Sequence, residues 1–168
     1  MLAFVGILLL STNVYLIFQN KQLKSSLENS KQGITEEGYR FSDLHFRGAD
    51  GSEEKINLAN GESRTLLLVF NSSCEYCKQQ FPYWIKLTKN IDTKIWKVFA
   101  ISSEQDTEKL KALMAEQGIE DIKTGSVSLS EMRQARMLFT PMTIAVASDG
   151  EVKKVWAGLW TKEFDFSF

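Results

Sequence analysis

The sequence predicts an α/β fold with a mixed central sheet flanked by helices. Three observations carry this reading. Two apolar runs, Thr65–Phe70 and Ile95–Ser102, are continuous rather than alternating, as in strands covered on both faces. A helix-prone stretch follows each run, at 75–89 and 106–117, so strands and helices alternate and parallel crossovers are implied. Asp149-Gly150 separates two further strand-like runs and is the strongest hairpin turn in the chain, which adds an antiparallel edge.

Taken in order, Met1–Phe18 is apolar apart from Ser11, Thr12 and Asn13. As a helix it rises about 27 Å, close to the roughly 30 Å of a bilayer core. Tyr15 and Phe18 stand where an aromatic belt belongs, and Lys21 and Lys24 follow. An uncleaved signal anchor over residues 1–20 is the favoured reading. A cleaved signal peptide lacks an Ala-x-Ala pattern here, and a buried helix would need a polar face that this run does not have. Residues 21–38 read as a polar, helix-prone stalk and linker, and residues 39–168 as the folded domain.

Phe41–Phe46 and Lys55–Leu58 read as two strands joined around Ala49-Asp50-Gly51-Ser52, an N-terminal hairpin. The apolar strand 65–70 comes next, then a helix from Glu75 that contains Pro82, then the strand 95–102. The helix over 106–117 carries a stripe of Leu110, Leu113 and Met114, with Gly118 as its C-cap. Residues 126–129 are expected as a short strand and 130–138 as a short helix capped by Ser130. Met142–Ala147 and Val152–Ala157 form the last hairpin, and little room remains for a closing helix.

Hydrophobic residues make up 43% of the 168, enough for a core without staples, and the formal charge of −1 with no basic stripe argues against a nucleic-acid partner. The chain has two cysteines, Cys74 and Cys77. The loop they would close is too short to constrain an unfolded chain usefully, so reversible redox chemistry explains the pair better than stability does. Cys74 falls at a helix start, where free N–H groups favour negative charge. A Cys-x-x-Cys pair also serves zinc sites, so the motif alone is weak.

The wider pattern resembles the thioredoxin-like fold, and in particular the membrane-anchored, extracytoplasmic proteins of the TlpA/ResA kind. The resemblance covers about residues 41 to 160. It rests on Phe41-Ser42-Asp43-Leu44 and its hairpin, on Cys74 and Cys77 between strand and helix with Pro82 beyond, on Thr140-Pro141 before Met142-Thr143, and on Gly150 and Gly158. It implies thiol–disulfide exchange with Cys74 attacking and Cys77 resolving, and a cis Pro141 whose neighbour Thr140 faces an extended substrate. Tyr76 is an added candidate for substrate contact. It also implies protein disulfide substrates outside the cytoplasmic membrane, an electron donor in that membrane, and no cofactor of the chain's own. Apocytochrome c maturation is one process that such proteins serve. The Lys residues after the anchor would by themselves keep the domain in the cytoplasm, whereas the resemblance places it on the outer face or in the periplasm, and the latter is the expectation.

The departures from the pattern concern protons and potential. Ser73 and Tyr76 replace the family's usual Trp and Pro, Leu68 stands where thioredoxins bury an acid, and Gln80 stands where anchored relatives often place a glutamate. Glu75 sets a negative charge beside the attacking sulfur while the helix terminus opposes it, and a moderately to strongly reducing pair is expected. Among rivals, a copper chaperone of the same fold would use the same cysteines but prefers a longer spacing and a late histidine; the one histidine, His45, lies on the N-terminal hairpin. A peroxidase needs Pro and Thr before its cysteine, and 66–73 has neither. Met132, Met137, Met142, Trp84, Trp96 and Trp156 read as core.

Overall fold

A computed structural model describes residues 13–24, 34–41 and 43–167. They fall in two units, Met1–Gly33 and Ile34–Phe168. In the first, residues 13–24 form helix α1, on which Val14, Tyr15, Leu16, Ile17, Phe18 and Leu23 are all exposed. Most of the expected anchor, residues 1–12, and the stalk over 25–33 lie outside the described residues. Among the described residues no helix is long and apolar enough to cross a membrane.

The second unit is built on one seven-stranded sheet. Its elements are β1 Leu44–Gly48, β2 Glu53–Ile56, β3 Arg64–Phe70, α2 Glu75–Asn90, β4 Trp96–Ser102, α3 Thr107–Gln117, β5 Lys123–Ser126, α4 Leu129–Gln134, β6 Met142–Val146 and β7 Val152–Ala157. The strand order is β2-β1-β5-β4-β3-β6-β7. The β3–β4 and β4–β5 pairs are parallel; β3–β6, β6–β7, β1–β2 and β1–β5 are antiparallel. The two hairpins thus extend opposite edges of a parallel centre.

β3 is apolar from Leu66 to Phe70 because both of its faces are covered there. Leu67 and Val69 enter one core with Phe46, Ile101, Met132, Met137 and Ile144. Leu66, Leu68 and Phe70 point the other way, into a second core with Cys77, Phe81, Trp84, Leu110 and Trp156. The period of two along a strand divides the run between these layers.

Several boundaries differ from those the sequence suggests. Residues 34–38, expected as linker, belong to the folded unit: Ile34 forms a β-bridge with Met137 and Thr35 is buried. The first hairpin starts at Leu44 rather than Phe41, because Phe41 N–H bonds to Gly150 O at 3.0 Å instead of to β2. The expected strand at 126–129 lies earlier, as β5, where Lys123-Thr124-Gly125-Ser126 carries no apolar signal. Gly125 is required there, since any Cβ would strike the Arg47 carbonyl and the Phe46 ring. The short helix begins at Leu129 with Ser128, not Ser130, as its cap; the Ser128 hydroxyl accepts from Glu131 N–H at 3.2 Å. Among the described residues no helix follows β7. Trp160, Phe164 and Phe166 instead lay an aromatic strap on the second core, beside Trp96 and Trp156.

Candidate active site

The site forms at the carboxyl end of β3. Asn71 builds the turn that follows: its side-chain oxygen accepts from Ser73 N–H at 2.9 Å and from the Ser73 hydroxyl at 2.7 Å, while its backbone carbonyl accepts from Cys74 N–H at 3.1 Å. The turn is also tied to the loop after β4. Asn71 Nδ2 donates to Ser103 Oγ at 3.4 Å and the Ser72 hydroxyl to Glu104 at 2.8 Å. The Lys109 ammonium, then the Ser72 hydroxyl and Asp106 N–H, hold the Glu104 carboxyl down at about 2. Glu104 is therefore a permanent anion that fixes the turn from outside.

Cys74 is the N-cap of α2, with extended backbone at φ −87 and ψ 111. Its sulfur accepts from Cys77 N–H at 3.2 Å, a first-turn donor that it shares with the Cys74 carbonyl at 3.1 Å. The same sulfur lies 3.6 Å from the Thr140 carbonyl, to which its S–H donates. Cys74 is half-buried and Cys77 fully buried, and both are free thiols. Burial pushes the Cys77 thiol up to about 12, and the Cys74 side chain adds to the rise.

The Thr140–Pro141 bond is cis. Thr140 is half-buried at the cysteine side and Pro141 is buried where β6 begins. A cleft of about 300 Å³ opens beside Cys74 and Thr140, lined by Asn71, Ser73, Cys74, Met132, Leu138 and Thr140. Leu129, Leu138 and Phe139 leave apolar surface exposed at or near its rim. The fold thus gathers Cys74, Cys77, Thr140 and Pro141 in one place. Tyr76 is not among the cleft's lining residues; it stands on α2 at 63% exposure. His45, on β1, pairs with Glu131 at 2.8 Å and borders other clefts. Among the described residues no group of three His, Cys, Asp or Glu side chains is placed to hold a metal ion.

Leu68 and Gln80, the two departures from the family's acids, are both buried. Leu68 is in register with Thr143 of β6, and the Thr143 hydroxyl accepts from Trp84 Nε1 at 2.7 Å inside the core. Gln80 is buried, and its amide is engaged by the backbone of Trp160. Sequence reasoning missed the supporting roles of Asn71, Ser103 and Glu104. An Asn-Ser-Ser turn could have flagged Asn71, but nothing local marks the other two, which reach the turn across the parallel strand pair.

Neither a family model nor a curated protein matches the sequence. Solved structures do resemble it. The thioredoxin domain of a thiol-disulfide oxidoreductase from Bacteroides vulgatus aligns at TM-score 0.60 and 16% identity, over 73% of this chain and 87% of that one. StoA from Bacillus subtilis aligns at 0.55 and 17%, over 71% and 90%. A peroxiredoxin-like protein from Aquifex aeolicus aligns at 0.63 and 12%, over 75% and 78%. At these identities the likeness establishes a shared thioredoxin-like fold.

Proposed function

We propose that this chain is a thiol–disulfide oxidoreductase that reduces disulfides of proteins outside the cytoplasmic membrane, to which residues 1–20 anchor it. The observation that carries the chemistry is the placing of two thiols in one turn: Cys74 half-exposed on the helix terminus beside Thr140, Cys77 sealed behind it. Ionised Cys74 attacks a substrate disulfide, forms a mixed disulfide and expels one substrate thiolate. Cys77 then loses its proton and attacks Cys74 Sγ, closing the intramolecular disulfide and expelling the second thiolate. Two electrons pass from the pair to the substrate. The cycle ends when a membrane dithiol partner reduces Cys74–Cys77 by the reverse exchange.

Thr140 and the apolar rim suit an extended segment lying beside Cys74, with Tyr76 as a neighbouring contact. The anchor reading is supported by the apolar run Met1–Phe18 and by the exposure of Val14, Tyr15, Leu16, Ile17 and Phe18 on α1. The proposal is tested by equilibrating the protein in glutathione buffers and by isolating mixed disulfides from a membrane fraction bearing Cys77→Ser. A reversible two-electron transition and a trapped extracytoplasmic protein are expected. A pair that never oxidises, or a trapped cytoplasmic client, defeats the chemistry or the location respectively.

A further inference from the structure

Gln80 lies three residues beyond Cys77 on α2 and is 1% exposed. Both ends of its amide meet the backbone of a single residue. Oε1 accepts from Trp160 N–H at 2.6 Å, and Nε2 donates to Trp160 O at 3.2 Å. Two residues earlier in that segment, Gly158 N–H donates to Pro141 O at 2.8 Å. Gly158 has φ +83, the left-handed conformation that favours glycine, and the chain turns there from β7 toward α2. Pro141 follows Thr140, whose carbonyl takes the Cys74 S–H at 3.6 Å, and Cys74 caps the helix that carries Gln80. The path from Cys74 through Thr140, Pro141, Gly158, Trp160 and Gln80 therefore returns to its own helix.

The geometry points to Gln80 as a positioning residue: by clamping residues 158–160 to α2, it holds the Thr140 edge in place against the attacking sulfur. The clamp needs one donor and one acceptor on the same side chain. Glutamine supplies both at every pH. A carboxylate supplies acceptors only, and its second oxygen would face the Trp160 carbonyl. Alanine supplies neither and leaves two backbone groups of Trp160 without these partners. The cysteines, the cis bond and the sheet are untouched by any of these changes, so the effect falls on how a substrate is held rather than on the sulfur chemistry.

This inference rests on the oxidoreductase reading, and the test separates the two. Two probes are used with the reduced full-length chain. One is 2-hydroxyethyl disulfide, which is too small to depend on the Thr140 edge. The other is an extended apolar peptide whose cysteine is joined to glutathione. The readout is the ratio of the two rate constants for attack by Cys74, from which the ionisation of Cys74 itself cancels.

Gln80→Ala is expected to slow attack on the peptide about tenfold and attack on the small disulfide less than about twofold, in line with the loss of one or two hydrogen bonds. Gln80→Glu is expected to match the wild-type ratio at low pH, where its protonated carboxyl keeps both bonds, and to lose peptide preference as that carboxyl ionises. An unchanged ratio in Gln80→Ala overturns the inference. Should Gln80→Ala not fold, a Gln80→Glu ratio that stays at the wild-type value across pH overturns it instead. A wild-type chain that attacks neither disulfide removes the oxidoreductase reading and this inference together.

Discussion

Cys74 and Cys77 are one helical turn apart, yet they meet different surroundings. Around Cys74 are hydrogen-bonding groups: the Asn71 turn, the Thr140 carbonyl and the N–H of Cys77, with the Ser103–Glu104 loop behind the turn. Around Cys77 are Leu68, Phe70, Phe81 and Trp84, an apolar layer that buries the thiol fully, with the Asn71 backbone and the Thr140 side chain at its outer edge. The difference shows how one helix start serves two tasks. A half-exposed sulfur at the cleft can be reached by a substrate, whereas a sulfur in an apolar layer stays protonated until a mixed disulfide forms in front of it.

Removing each sulfur separately is the largest perturbation of this contrast. Both Cys74→Ser and Cys77→Ser should lower turnover of a protein disulfide by about three orders of magnitude or more, the scale of losing a nucleophile. They should fail at different steps. Cys77→Ser should accumulate a mixed disulfide in non-reducing electrophoresis, and Cys74→Ser should not. A trapped adduct in Cys74→Ser would reverse the assignment of attacker and resolver.

The second test uses pH. With its thiol pushed up to about 12, Cys77 is almost wholly protonated near neutrality. Its attack on the mixed disulfide should therefore quicken about tenfold per pH unit from pH 6 to 9, as the small thiolate fraction grows. Single-turnover kinetics would show this, and a plateau inside that range would reveal a base that serves the sulfur. Stability should run the opposite way. The raised group favours the folded thiol, so its contribution is complete below the ordinary thiol value of 9.0 and is lost as pH climbs through about 12.

The two surroundings were unequally legible in the sequence. The dry layer announced itself: the uninterrupted Leu66–Phe70 run requires burial on both faces, and Trp84, Trp96 and Trp156 fall inside as expected. The element order and both hairpins were legible for the same reason, since apolar periodicity reports burial. The polar side was not. β5 is a strand because Gly125 fits under Phe46 and Arg47, a steric reason that hydropathy does not carry. Glu104 reaches Ser72 only because β3 and β4 run parallel and end together, a contact across 32 positions of sequence. Gln80 looked like a missing acid, and its actual bond to Trp160 lies 80 positions away.

Two milder substitutions probe each side without touching sulfur. Thr143→Val keeps the shape of the dry layer but strips the acceptor from Trp84 Nε1, leaving a buried donor unpaired. It should cost about 1–3 kcal/mol in urea denaturation. Attack by Cys74 on a small disulfide should hold its rate. Glu104→Gln acts on the polar side, where the carboxylate is held by Lys109 and Ser72. A carboxyl held down at about 2 lends stability that is complete above the ordinary value of 4.5 and fades as pH falls through about 2. Acid denaturation of the Gln variant should lose that part of the slope, and at neutral pH the stability loss should stay below that of Thr143→Val, as for exposed ion pairs.

The smallest expected effect is electrostatic and lies between the two sulfurs. Glu75 is exposed in the first turn of α2 and sits 3.6 Å from Lys78. Its charge opposes an ionised Cys74 in the reduced protein, and that opposition is absent from the disulfide form. Glu75→Gln removes the repulsion and frees the Lys78 ammonium, so both changes favour the reduced state and move the potential in the oxidising direction. The favourable pull of the helix terminus on Glu75 is lost from both redox forms and cancels. A surface charge near a helix terminus is worth about 0.3–1 kcal/mol, which for two electrons is roughly 7–20 mV. Titration in glutathione buffers resolves such a shift. It should shrink at 1 M salt, where the screening length falls to about 3 Å. A shift of the opposite sign would mean that Glu75 acts on the oxidised form, through the geometry of the helix start rather than through its charge on sulfur.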